Sequence, residues 1–374
     1  MISRNNAIGT VGALALGLAI TTPATAEMTV SVGGRIQVDS TYYDDDNIKL
    51  GRGTEVRRAR LFAEGAIGDD WSYKSQIDFA GNDAVLKDMF IRYNGLDFGT
   101  ITLGQFKQEF GLDQLTSSKY GTFIERAMVS DAFYTGRRIG VGLAGNADAW
   151  HYAASVFGQE ESDSEGVNEG NGVAGRVAYG PRVGENQLHF GVSANWQDSP
   201  DSDNEWRIRA RPESHQTSVR LVDTGVIADT NSITSFGGEA AWVRGPFSIQ
   251  AEYQQQSVDR DGGSDPDFTG WYAYASWFVG GDTGRSYKNG SFGRTKATNA
   301  WELAVRYSNL DLNDSGIDGG KENNITAAVN YYVNPYLRFM LNGVFIDAQD
   351  TPVLGGTEND KPTAIIFRAA MDFK

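Results

Sequence analysis

Arginine is the residue type through which this chain could do chemistry. "EVRRARLFAEG" (55–65) puts Arg57, Arg58 and Arg60 within four positions, and "WRIRARPESHQTSVRL" (206–221) carries Arg207, Arg209, Arg211 and Arg220. Between them, Lys107, Lys119, Arg126, Arg137 and Arg138 gather in 107–138. A guanidinium holds carboxylate or phosphate oxygens through a planar fork and stays charged at any physiological pH. These clusters stand out because 48 Asp and Glu against 33 Lys and Arg give a formal net charge of −15. Arg207, Arg209 and Arg211 alternate with Ile208 and Ala210, which aims three guanidiniums to one side of an extended segment. Inside a narrow aqueous lumen, such groups would select anions.

Catalytic chemistry has little support. His151, His189 and His215 are far apart and form no two-histidine zinc pattern, and the chain has no cysteine. Neither a G-x-S-x-G nor a P-loop spacing occurs. Asp44-Asp45-Asp46 and "DRDGGSDPD" (259–267) lack the spacing and terminal glutamate of a calcium loop, and read as solvated loops with a secondary possibility of divalent bridging to lipopolysaccharide. No catalytic residue, cofactor, metal or nucleic-acid partner is expected.

The elements that position the arginines follow from periodicity. Arg4 precedes an uncharged, mostly apolar run from Ala7 to Ile20, and Ala24-Thr25-Ala26 offers a cleavage site, so residues 1–26 read as a secretory signal peptide. Residues 27–374 read as one domain. Eleven per cent aromatics with a mean hydropathy of −0.39 excludes a bundle of transmembrane helices. In "LHFGVSANW" Leu188, Phe190, Val192, Ala194 and Trp196 face one way and His189, Gly191, Ser193 and Asn195 the other. The same period of two runs through "WELAVRY", "ITAAVNYYV" and the terminal "AIIFRAAMDFK". Tight turns such as "GDDW" alternate with long polar connections at 41–53, 159–172, 197–231, 258–267 and 348–361. The pattern predicts an all-β fold, a transmembrane antiparallel barrel of roughly 16 strands of about 9–11 residues in the bacterial outer membrane. Trp150, Trp196, Trp271 and Trp301 stand near strand ends, where an interfacial girdle is required. A soluble sandwich would leave open edges.

The register makes the first cluster more specific. Arg58 and Arg60 share parity with Glu64 and point into the lumen, opposite Ala59, Leu61 and Ala63. Arg57 has the wrong parity, and a charge facing lipid at mid-membrane costs about 2–4 kcal/mol. It must therefore lie near the extracellular strand end, at a bulge, or in an oligomer interface.

"EVRRARLFAEGAIGDDWSYKSQIDF", "ITLGQFKQEFGLDQLTSSKYGTFIERAMVSDAF", "WRIRARPESH" and "AWELAVRYSNLDLND" together resemble the phosphate-selective porin O and P family, from about Gly33 to the C-terminus. The resemblance implies a homotrimer of 16-stranded barrels whose third extracellular loop, here about 107–136, folds inward. It also implies a constriction site at Arg57, Arg58 and Arg126, with Arg60 on the same wall, and a guiding ladder whose counterparts are Arg35, Arg207, Arg209, Arg211 and Arg220. Two positions depart from the phosphate-specific members: Gln114 replaces a lysine in the inward loop, and Lys107 stands where those members have an aromatic residue. Phe373 is penultimate, ahead of Lys374, where such barrels usually end on the aromatic.

Together these readings predict passive diffusion of small hydrophilic anions, phosphate or polyphosphate first and chloride with them. The same arginines set across from acids such as Glu64 and Asp88 would instead make a general diffusion porin of the same fold with a transverse field. A scaffold barrel with a blocked lumen is the other class of reading.

Overall fold

The computed structural model describes residues 27–158, 170–199, 204–280 and 284–374; the expected signal peptide lies outside the described residues. Alternation becomes sixteen antiparallel strands. They are β1 (Ser31–Asp44), β2 (Gly53–Ile67), β3 (Trp71–Asp78), β4 (Val85–Leu96), β5 (Gly99–Lys107), β6 (Arg137–Ala147), β7 (Trp150–Phe157) and β8 (Gly172–Tyr179, continued by Arg182–Val183). The second half comprises β9 (Asn186–Asp198), β10 (Thr230–Arg244), β11 (Phe247–Arg260), β12 (Asp267–Val279), β13 (Ala300–Asp314), β14 (Ile317–Asn334), β15 (Leu337–Gln349) and β16 (Thr363–Phe373). β16 pairs with β1 from Gly34↔Phe373 to Asp44↔Thr363, which closes the barrel and leaves no edge. β14, with 18 residues, is far longer than a membrane-limited strand requires.

The apolar parity faces outward: Leu303, Val305, Phe190 and Val192 are exposed, while Glu302, Arg306 and His189 are buried in the interior. All four tryptophans of the expected girdle are exposed. Trp150 and Trp301, at one rim, pair with Tyr179 (4.6 Å) and Tyr331 (4.7 Å), and Trp271, at the other, pairs with Tyr307 (5.1 Å). Phe373, the penultimate residue, sits in the closing ladder, and Lys374 reaches Glu64.

Among the described residues, three connections enter the lumen. Residues 108–136 fold inward as expected and carry two short helices, Leu112–Leu115 and Met128–Ala132. Residues 204–229 fold in as well, burying Ile208, Ala210, Leu221, Val222 and Ile227. From the short-turn rim, a hairpin of Arg285–Lys288 against Ser291–Thr295 rises inside the barrel. That hairpin, and the tight turn at Ser315-Gly316, break the simple rule of short turns on one rim and long loops on the other.

Gly104 shows how closely the wall is built. Its φ is +121°, and a Cβ there would come within 2.3 Å of the Met89 carbonyl oxygen. Gly104→Val is expected to cost about 1–3 kcal/mol or more, read as a loss of compact, heat-modifiable barrel on unheated gels. Gly238→Ala, where an added methyl meets nothing within 4 Å, should leave that band unchanged.

Candidate functional site: an arginine-lined channel

Both Arg57 and Arg58 face the lumen, and a bulge is the reason. Gln37 of β1 pairs with Arg58 and Val38 pairs with Val56, so Arg57 is the extra residue and escapes the alternation. Arg57 then grips Glu125 of the inward loop with both arms of its fork, Nε to Oε1 at 2.8 Å and Nη2 to Oε2 at 3.0 Å. Arg58 donates to Gln37 Oε1 (2.7 Å) and lies 3.6 Å from the same carboxylate. Arg368 of β16 completes the group, with Nη2 2.7 Å from Glu125 and a bidentate hold on Asp39. Burial alone would raise the Glu125 pKa, but Arg57, Arg58 and Arg368 outweigh it and hold the carboxyl well below its usual range.

The other expected constriction residues fall nearby with different partners. Arg60 faces inward and pairs with Asp78 at 2.6 Å. Arg126 donates to the carbonyls of Asp113 (2.8 Å), Thr116 (3.0 Å) and Gln114 (3.3 Å), and Lys107 also donates to the Gln114 carbonyl. The Gln114 amide turns into its own loop and donates to the Ser130 carbonyl, joining the two short helices. Arg35 donates to the Ser118 hydroxyl at 2.6 Å. Arg35, Lys107 and Arg126 are thus oriented by neutral oxygens.

These residues border a cavity of about 1170 Å³ running to the short-turn rim, walled by β1–β8. Thirteen Lys and Arg but only four Asp and Glu line it, a local excess of nine positive charges in an acidic chain. Arg207, Arg209, Arg211 and Arg220 are not among them. In the small hairpin of Arg209–Ala210 with Val222–Asp223, Ile208 and Ala210 are buried and Arg207 and Arg209 are exposed, the alternation expected from sequence. Arg207 is held by Asp223 (2.7 and 2.6 Å), Arg211 by the Thr217 carbonyl and Arg220 by that of Ser218. Burial and then Arg211 and Arg209 push the Arg220 pKa down, so three of these cations share one neighbourhood away from the constriction. The histidines stay apart: His189 bonds Glu239 and Tyr287, His215 bonds Glu55, and His151 bonds Asn146.

Sequence reasoning did not identify the residues that hold the inward loop. Gln37, Arg285, Arg338, Asn330, Arg368 and Arg306 donate to the carbonyls of Ser118, Tyr120, Gly121, Thr122, Ile124 and Glu125, at 2.5–3.1 Å. Glu252 accepts from the Leu112 and Asp113 amides (2.9 and 2.6 Å). The inward parity of Arg306 and Arg368 in their strands was the signal available.

The family model for phosphate-selective porin O and P matches residues 30–373. The chain belongs to that family. It is 35% identical over 363 residues to an uncharacterized protein of Caulobacter vibrioides, covering 91% of this chain and 73% of that one. It is 26% identical over 391 residues to Porin O of Pseudomonas aeruginosa, covering 91% and 88%. Among solved structures, an anion-selective porin from Comamonas acidovorans shares the fold at a TM-score of 0.57 and 14% identity, covering 92% of this chain and 100% of that one. By family and fold this chain is therefore an outer-membrane porin channel.

Lys119 of the inward loop, which lines the cavity, leads to a pH prediction. Burial, and then Arg35, push its pKa from 10.5 down to about 8. The lysine is charged below that value and neutral above it, so the reversal potential in bilayers should shift toward cations as pH rises from 7 to 9 and stay constant in Lys119→Arg. Because the unfolded lysine keeps its proton between pH 8 and 10.5 and the folded one does not, this residue costs stability below about 8, a cost that disappears as pH rises through that window.

Proposed function

We propose that this porin passes small hydrophilic anions by diffusion, phosphate or polyphosphate foremost and chloride with them. The observation that carries the reading is the cavity lined by thirteen cations and four acids. Arg57, Arg58, Arg60, Lys107 and Arg126 form its constriction, with Gln114 serving through the carbonyl that orients Lys107 and Arg126. Arg35 continues the route toward the periplasm, and Arg207, Arg209, Arg211 and Arg220 draw anions to the mouth. Passage needs weak, repeated binding, because a site that grips too tightly plugs the pore. The protein acts as a homotrimer embedded among outer-membrane lipid and lipopolysaccharide, exported by a signal peptide at 1–26 that leaves one barrel domain.

A second reading, a general diffusion porin with weak or no phosphate selectivity, is favoured by the ion pairs Arg57–Glu125, Arg60–Asp78 and Arg137–Asp88, which neutralise arginines along the β2–β6 wall and at the inward loop. Reversal potential in planar bilayers under a chloride gradient separates the two, since cation preference rejects the anion filter. Phosphate titrated into chloride should reduce the current. Arg126→Ala removes a cation whose partners among the described residues are carbonyls, and should weaken that block by about three- to thirtyfold. Absence of block in the unmutated porin would leave the general reading standing.

A further inference from the structure

We infer that Glu125 is a built-in competitor: its carboxylate occupies the face of Arg57 and Arg58 that a permeating anion would otherwise hold, which makes Glu125 the residue that sets how tightly the channel binds its cargo. The inference rests on the anion-channel reading above.

The geometry has the form of a bound anion. Arg57 meets Glu125 fork to fork, Arg58 approaches the second oxygen at 3.6 Å, and Arg368 donates to the first at 2.7 Å. An incoming carboxylate or phosphate would seek those N–H groups in that planar arrangement. Arg57, Arg58 and Arg368 face Glu125 and Asp39, so three guanidiniums meet two carboxylates and one positive charge remains. That residue of charge attracts an anion while the forks of Arg57 and Arg368 are already filled, and Glu125 stands between the anion and Arg58. Arg35, Lys107 and Arg126, whose partners are a hydroxyl and carbonyls, are left as the cations that exchange with a passing ion. The outcome is handover between single contacts.

Glu125 also fixes its loop, since Arg306 and Arg368 donate to the carbonyls of Glu125 and Ile124. A purely structural role and a competitor role predict opposite effects. Loosening the loop would widen the constriction, raise conductance and weaken anion block. Freeing the arginines would tighten block.

Single-channel chloride conductance with phosphate titrated in, on the full-length porin and Glu125→Gln, is the test. The half-blocking phosphate concentration is expected to fall by about ten- to a hundredfold in the variant, the worth of a freed charge-assisted contact. Unchanged or weaker block overturns the inference. If Glu125→Gln gives no compact barrel, Glu125→Asp decides: it keeps the charge but is one methylene too short for the fork, and should tighten block by a smaller factor, no change being the overturning result. A cation-preferring unmutated channel would reject the anion reading itself, whereas an anion-selective channel indifferent to Glu125→Gln rejects the competitor alone.

Discussion

Irregular backbone can lie inside a barrel only if the wall supplies partners for its carbonyls and amides, and this constraint organises the interior of the porin. From Ser118 to Glu125, six carbonyls are held by side chains projecting from β1, β13, β14, β15, β16 and the short-rim hairpin. Two amides at the start of the loop are held by Glu252 of β11. The wall's arginines are therefore not a pool of free positive charge. Arg306, Arg338 and Arg368 position a loop first, and the electrostatics of the channel is what their remaining donors leave over.

That distinction reconciles an acidic protein with a basic lumen. Acids on the long-loop rim are used locally: Asp45 accepts from the Leu50 amide and Asp46 from that of Lys361. Exposed charges at that rim are screened over a Debye length of about 8 Å in physiological salt, whereas partly buried charges lining the lumen are screened less. Within the cavity the low-dielectric wall concentrates the field of its thirteen cations. Net charge thus says little about selectivity, and the local balance says much.

Strand positions, facing and the girdle were legible in the sequence because a lipid solvent outside and water inside impose a strict period of two. The inward direction of Arg58 and Arg60 followed from the same parity. Arg57 could be reduced to three placements and no further, since a bulge is a property of two strands paired and one strand's pattern does not contain it. The partners of the inward loop were illegible for a related reason: Gly121 meets Arg338 across 217 positions, and Ile124 meets Arg368 across 244. Gln114 read as a replaced ligand, yet its amide closes a contact within its own loop. Residues 197–231 read as a long polar connection because Ile208, Leu221, Val222 and Ile227 are scattered among charged and polar residues, and the 285–295 hairpin drew no reading at all; only the assembled lumen shows what these segments bury against.

The filling elements also decide where ions travel. Phe123, Met128 and Phe133 of the inward loop pack with Ile208, Val222 and Ile227 of the second entering loop and with Phe268, Tyr272 and Leu310 of the wall, forming a dry core across the β11–β14 side. Below it the hairpin is pinned by Arg176 to the Gly290 carbonyl and by Tyr287 to His189. The open cavity is consequently eccentric, bounded by β1–β8 and the inward loop with the hairpin tip and Lys374 at its border. A barrel of sixteen strands is wide enough for an aqueous channel, so the constriction here owes its narrowness to packed loops and its charge to one side of the wall. The cavity is lined by Arg35, Arg57, Arg58, Arg60 and Lys107, whereas the acids Glu213, Glu252 and Glu302 do not line it and are buried holding the fill in place. The same residue types thus serve two ends: Arg306, Arg338 and Arg368 with Glu213, Glu252 and Glu302 hold the fill, while the open side keeps thirteen cations against four acids.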